Sequence, residues 1–272
     1  MCSSGEPPVA DLHVHTTVSD GSLSLAAVPA AAEAAGVPWV GLTDHDRYHP
    51  DLDAPVTVRE GVTLVRGLEL RVEAGDQRLD LLGYAVDPTP ALDAELDRLQ
   101  RNRIERTRRI VECVEERLGV DLDVALEPGV GRPHVARAVE ASDAPLDFQE
   151  TFDRLIGDGR PCYVAREVPD VARGVELLSD TCALVSLAHP LRYGDPGAAL
   201  DVAADHSLDA VELCYPYGDD ADTAPVERFV ADHDLLATGG SDAHGETVGA
   251  AGLTGESFER VAAALPSPEA QG

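Results

Sequence analysis

Asp11-Leu12-His13-Val14-His15, followed five residues later by Asp20 in the loop Thr16-Thr17-Val18-Ser19-Asp20-Gly21, is the stretch on which the fold turns. Successive side chains on a strand point to opposite faces, so His13 and His15 emerge on the same face, one rung apart. That is the geometry of two ligands for one metal. Asp20 can swing back from the loop to add a hard oxygen.

Outward from this stretch, apolar runs recur and most end in a residue of the same chemistry. Residues 25–35 are Ala-rich and helical in character, with Gly36 as the stop signal. Pro38-Trp39-Val40-Gly41-Leu42-Thr43 reads as a second strand, and Asp44-His45-Asp46 stands at its end. Residues 62–70 form a third run and deliver Glu69. A fourth, residues 79–84, carries Asp80 inside an apolar strand; an unpaired carboxylate is costly there, so it needs a partner, a metal or a position at the rim. Residues 183–188 lead to His189-Pro190, residues 210–215 form another run, and residues 235–240 lead to Ser241-Asp242-Ala243-His244-Gly245. Strands alternating with helices imply an α/β fold, and polar ligands at several strand ends imply a seven-stranded β/α barrel with its site at the C-terminal rim.

Between the fourth and fifth runs, residues 90–165 switch to a helical pattern. Leu92, Leu96, Leu99, Arg103, Arg106 and Ile110 recur at three- and four-residue spacing, and residues 100–109 hold the one basic cluster of the chain. Two readings stand: a solvated face paired with Glu105, Glu112 and Glu115, or a lid that offers guanidinium groups to a phosphate. Gly131-Arg132-Pro133-His134 then places an Arg and a His at a helix start, a favourable place for an anion. The expected organisation is a mobile tail over residues 1–8, a barrel domain over 9–264 with the helical insertion (lid) at 90–165, and a mobile tail over 265–272.

With 272 residues and 44% hydrophobic content, the chain can bury a large core. Its formal net charge is −29, and every basic residue is Arg. Self-repulsion of this size is tolerable where salt screens it, with a Debye length of about 3 Å at 1 M, so the sequence points to a halophilic, high-salt cytoplasm. The five cysteines show no paired spacing and read as reduced thiols, which also fits a cytoplasmic protein. Nothing reads as a signal peptide, and no apolar run approaches the ~18 residues of a membrane helix.

A lone buried His is usually a hydrogen-bonded core residue, and His49, His206 and His233 take that reading. The set His13, His15, Asp20, His45, Glu69, His189, Asp242 and His244 is different, because each stands at a strand end or in the loop just beyond. Mixed imidazole and carboxylate donors suit Mn, Fe or Zn, and so many donors imply a cluster of two or three ions.

In the same order along the chain, His13-Val14-His15 through Asp20-Gly21, Thr43-Asp44-His45-Asp46, Gly67-Leu68-Glu69, Gly131-Arg132-Pro133-His134, Ala188-His189-Pro190 and residues 240–245 resemble the motifs of the PHP (polymerase and histidinol phosphatase) superfamily. The resemblance runs from about residue 9 to about residue 260. The helical insertion, the Arg-Pro-His motif and residues 152–159 are most similar to the branch of nucleoside 3',5'-bisphosphate phosphatases and a 5'-3' exoribonuclease. The resemblance implies a distorted seven-stranded barrel with three divalent metals, manganese first, with iron or zinc as alternatives. It makes His13, His15, Asp20, His45, Glu69, His189, Asp242 and His244 ligands, with Glu69 bridging two ions. Arg103, Arg106, Arg132 and His134 would face the substrate, and His134 has a second possible role in a metal shell. Asp80 stands where many relatives have His; it is a further candidate ligand, since a carboxylate can replace an imidazole for Mn or Mg, and its different charge and reach imply a second metal site that is weaker or differently selective.

The implied chemistry is in-line attack on phosphorus by a metal-activated water, with no covalent nucleophile; Cys214 and Ser241 are assigned structural roles. The expected partner is a small phosphorylated substrate, a nucleotide or short RNA, with no membrane and no stable duplex nucleic acid. The oligomeric state is not legible. Histidinol phosphatase or another small-molecule phosphatase is one alternative, the former disfavoured because guanidinium groups repel an ammonium substrate. A polymerase-associated exonuclease domain and a non-catalytic metal-binding regulatory module are the others; the latter predicts missing ligands, and here Asp80 is the one departure.

Overall fold

A computed structural model describes residues 6–218 and 220–270. Clustering of its contacts separates two compact units, one formed by the chain up to Asp93 and from Val168 onward, the other by Ala94–Glu167.

The first unit is mixed α/β, built on two five-stranded sheets. In one, β1 (Ala10–Val14), β2 (Trp39–Leu42) and β4 (Val62–Arg66) run parallel, β3 (Val56–Arg59) lies antiparallel to β4, and β10 (Glu269–Ala270) adds to β3. In the other, β5 (Leu68–Ala74) and β6 (Gln77–Tyr84) form an antiparallel hairpin, β7 (Leu184–Leu187) is antiparallel to β6, and β8 (Ala210–Cys214) and β9 (Leu236–Gly239) continue in parallel. Every residue of β1, β7 and β8 is buried, as expected of strands covered on both faces. The two sheets meet at isolated bridges, Val14 to Ala243 and His45 to Glu69.

A closed barrel of seven strands is not what the ladders give: among the described residues there are ten strands in two sheets. The cause is visible at Gly67. The run read as one strand over residues 62–70 breaks there, so that Arg66 ends a strand of the first sheet and Leu68 begins the second. A Cβ on Gly67 would lie 2.8 Å from the Gly83 carbonyl oxygen and 2.9 Å from Thr43 Cγ2, so only glycine lets the crossing chain pass. Helix α1 (Val28–Ala35) ends as expected at Gly36, which is left-handed at φ 72°. Glu269–Ala270, expected in a loose tail, pairs with Thr57 and Val58; residues 1–5 and 271–272 of the expected tails lie outside the described residues.

The helical pattern read over residues 90–165 resolves into α2 (Pro90–Leu118), α3 (Arg132–Ala141), a short α4 (Phe148–Thr151) and a π-turn at Phe152–Ile156. The second unit has its own core, in which Ile110 and Val114 of α2 pack with Val135 and Val139 of α3 and with Leu155 and Ile156. Cys113 and Cys162, 49 residues apart, are joined by a disulfide, with their Cα atoms 5.6 Å apart. Cys214 is disulfide-bonded as well, and Cys182 is free. The reading of five reduced thiols is therefore corrected: α2 and the segment after the π-turn bring together two cysteines whose separation gives no local signal. Among the described residues, no helix is long and apolar enough to cross a membrane.

Candidate metal centre

His13 and His15 leave β1 on one face, fully buried, with ring centroids 5.2 Å apart. Around them, two carboxylates absent from the ligand set hold the ligand-bearing loops. The Asp11 carboxylate accepts from the Ser241 amide (2.8 Å), the Ser241 hydroxyl (2.5 Å) and the Gly249 amide (2.7 Å), fixing the loop that carries Asp242 and His244. Asp44 accepts from the Thr16 amide (2.8 Å), the Thr16 hydroxyl (2.7 Å) and the Ser19 hydroxyl (2.6 Å), which turns Asp20 back toward the strand ends. The end of β9 comes so close to β1 that a Cβ on Gly240 would sit 2.3 Å from the His13 nitrogen.

The donors fall into three groups, each with its ligand atoms within 4.8 Å of one another: His15, Asp20, His45 and His244; His13, His15 and Asp242; and Glu69, Asp80 and His189. All eight residues singled out from the sequence are thus brought together, with Asp80. In the first group His244 Nε2 is 3.3 Å from Asp20 Oδ1, and the His15 ring lies 4.5 Å from that of His45 and 4.1 Å from that of His244. In the second, Asp242 Oδ1 lies 3.5 Å from His13 Nε2 and 3.2 Å from His15 Nε2. Glu69 faces four imidazoles: Oε2 is 2.6 Å from His45 Nδ1 and 3.5 Å from His15 Nε2, and Oε1 is 3.6 Å from His13 Nε2 and 3.1 Å from His189 Nε2.

Whether these residues fit metal ions can be judged from their hydrogen bonds. His13 Nε2 and His15 Nε2 are buried and make no hydrogen bond, although carboxylate oxygens stand nearby. A buried polar atom without a partner is costly, and two that converge on shared carboxylates are the arrangement a cation satisfies. The first two groups fit. The third does not fit in the same way: Arg71 Nε and Nη2 donate to the two Asp80 oxygens at 2.7 and 2.5 Å, and His189 Nε2 hydrogen-bonds Glu69 Oε1.

Electrostatics follow from the crowding of imidazoles and carboxylates. Burial pulls His13 down, but the charge and hydrogen bond of Glu212, with Glu69, hold it well above the usual histidine range. Burial also opposes ionisation of Asp20 and Glu69; the imidazoles around them prevail and hold both well below the usual carboxylate range. His15 is lowered by burial and by its neighbours His45 and His244. Burial lowers His244, and the hydrogen bond and charge of Asp20 outweigh it, raising it to about 9.

Sequence reading missed Glu212. It is fully buried in β8, accepts from His13 Nδ1 (3.0 Å) and from the His189 amide (2.9 Å), and so fixes the ring nitrogen His13 presents to the site. The signal was available, because a carboxylate inside the apolar run Ala210-Val211-Glu212-Leu213-Cys214 raises the same question as Asp80. Tyr215 and Arg192 were also missed; both donate to Asp242 Oδ2, at 2.8 and 3.3 Å.

The expected substrate residues Arg103, Arg106, Arg132 and His134 all lie in the second unit. Arg103 and Arg106 are buried, and a Cβ on Gly131 would lie 3.3 Å from Arg103 Nη1. Burial, then the charges of Arg132 and Arg103, lowers Arg106 to about 10, while Arg108 and Arg109 of the same helix are exposed and pair with Glu105, as the solvated-face reading expected. Arg132 lies over the Phe152 and Tyr163 rings and pairs with Asp158 at 2.6 Å, beside a cavity of about 490 Å³ lined in part by Phe148, Phe152 and Arg160. His134 Nδ1 accepts the Gly131 amide at the start of α3. His206 and His233 end helices (Pro196–Asp205 and Ala224–Asp232), His49 Nδ1 accepts the Asp51 amide, and Ser241 serves Asp11.

A mixed α/β fold with grouped His, Asp and Glu donors at its strand ends is one that could hold divalent ions there. The PHP domain matches residues 11–157, and the chain belongs to that family. It is 28% identical to a 3',5'-nucleoside bisphosphate phosphatase of Chromobacterium violaceum, with 86% of each chain covered. It is 31% identical to a 5'-3' exoribonuclease of Haemophilus influenzae, over 69% of this chain and 70% of that one. Among solved structures, a candidate metal-dependent phosphoesterase of Bifidobacterium adolescentis has the same fold, with a TM-score of 0.78 at 23% identity, covering 96% of this chain and 99% of that one.

Proposed function

We propose that the protein removes phosphate from a nucleotide, either a nucleoside 3',5'-bisphosphate or the 5' end of a short RNA. The observation that carries the hydrolytic part is the convergence of the buried, unbonded Nε2 atoms of His13 and His15 on the carboxylates of Glu69 and Asp242. The clustered guanidinium groups of Arg103, Arg106 and Arg132 support the nucleotide part, because they suit a second phosphate and would repel an ammonium substrate such as histidinol phosphate.

In this reading Asp20, His45 and His244 would hold one ion, and His13, His15 and Asp242 another, with Glu69 shared. Mixed imidazole and carboxylate donors suit Mn, Fe or Zn alike; manganese is the ion we assign, from the resemblance to the PHP superfamily. Divalent ions in such a site supply a nucleophile at neutral pH and offset charge on the phosphoryl oxygens. The protein's own part is to keep the donors in register. Glu212 holds His13 in one tautomer, Asp11 and Asp44 hold the loops of Asp242, His244 and Asp20, and Tyr215 and Arg192 fix the outer oxygen of Asp242. No side chain with an activated nucleophile is required: Ser241 Oγ donates to Asp11, and Cys214 is in a disulfide. We also hold the protein to be a cytoplasmic halophile, from its net charge of −29 without a single Lys.

The test is phosphate release in molar KCl with Mn, comparing adenosine 3',5'-bisphosphate, a short 5'-phosphorylated RNA and histidinol phosphate at equal concentration. Preference for the first or second is expected, and should fall on Arg132→Ala. Preference for histidinol phosphate would overturn the nucleotide assignment, and activity on none of the three would overturn the reading as a whole.

A further inference from the structure

The Glu69–Asp80–His189 group is built differently from the other two. Arg71 and Asp80 are cross-strand partners in the β5–β6 hairpin, so their side chains are directly opposed. The guanidinium covers both carboxylate oxygens in a fork, at 2.7 and 2.5 Å, and the Asp80 amide is itself tied to Tyr193 Oη at 2.8 Å. Asp80 is 1% exposed, so its charge has no access to water and must be met inside the protein. Glu69 Oε1 and His189 Nε2 are satisfied by each other at 3.1 Å. By contrast, His13 Nε2 and His15 Nε2 have no such partner.

We propose that Arg71 takes the place of a third ion: its fixed positive charge closes the Glu69–Asp80–His189 group, and the protein binds two divalent ions instead of three. A guanidinium stays protonated at any pH the protein experiences. A divalent ion at this group would face that cation directly and would have to take Asp80 from a bidentate pair. The pair is neutral as a whole, so it satisfies the buried Asp80 without adding charge beside Glu69. This rests on the reading of the strand ends as a metal centre.

The experiment is metal counting, independent of activity. Metal-free protein is dialysed to equilibrium against saturating Mn in molar KCl, and Mn per chain is measured for the wild type, for Arg71→Met and for the double substitution Arg71→Met with Asp80→His. The double substitution replaces the ion pair with an uncharged imidazole, so it guards against a single variant that fails to fold around an unpaired Asp80. Two Mn per chain in the wild type, rising to three in either variant, is the expected result. Three in the wild type overturns the proposal while leaving the metal centre intact. Two throughout overturns it as well, since Arg71 would then not be what keeps the third ion out. None in the wild type would instead overturn the metal-centre reading on which it rests.

Discussion

Asp11 and Ser241, 230 residues apart, are joined twice: the Ser241 hydroxyl and amide donate to the two oxygens of the Asp11 carboxylate. The first residue of the opening motif therefore serves to position the last motif. Replacing Asp11 by Ala strands the Ser241 and Gly249 amides, and each buried orphan costs about 1–3 kcal/mol. A destabilisation of roughly 3 kcal/mol is expected, with weakened Mn binding through the displaced Asp242 and His244. Urea unfolding and Mn titration of the variant check both.

Glu212→Gln keeps an acceptor and the volume, but removes the charge that holds His13 Nδ1–H. Loss of such an outer partner lowers metal affinity by about 10–100-fold. A competition titration against a Mn chelator should show that loss with little change in thermal midpoint. Unchanged affinity would deny Glu212 its positioning role.

Metal uptake should release protons. Without an ion, His244 is raised to about 9 by Asp20, against burial. The raised value means that protonation stabilises the metal-free fold fully below about 6.5, an effect lost as pH climbs through 9. An ion requires the neutral ring, so Mn affinity should rise with pH across this window. Calorimetry at pH 7.5 in two buffers of different ionisation enthalpy should give different apparent heats; equal heats would contradict the prediction.

The Cys113–Cys162 disulfide closes a loop over a sequence separation of 49. Chain-entropy arguments assign about 4 kcal/mol to a loop of that length. Cys113→Ser should therefore make residues 94–167 the first region cut in limited proteolysis, while Mn content, held in the other unit, stays unchanged.

Much of the donor cluster was legible because its side chains stand where strands end, and each interrupted an apolar run with a polar residue. His13, His15, Asp20, His45, Glu69, His189, Asp242 and His244 all carry that signal. What was not legible depends on pairing across the chain. Arg71 gives no sign of its role until β5 and β6 are in register, and Asp80 then changes from a candidate ligand to half of an ion pair. Gly67 does not show in the sequence that it divides one apolar run between two sheets. The cysteine pair was hidden for the same reason, since only the packing of α2 brings the two thiols together. Asp11 and Asp44 stood inside recognised motifs but were passed over because neither reaches the site itself.

Both donor groups proposed to hold ions draw on both sheets: His13, His15 and His45 stand at the ends of β1 and β2, while Asp242 and His244 follow β9. An ion bound there fastens one sheet to the other at their seam. Its binding energy is then added to the resistance of the whole unit to opening, by RT ln(1 + [ion]/Kd). If the proposed centre holds its ions, their supply would govern how long each copy of the protein survives proteolysis, as well as how fast it turns over.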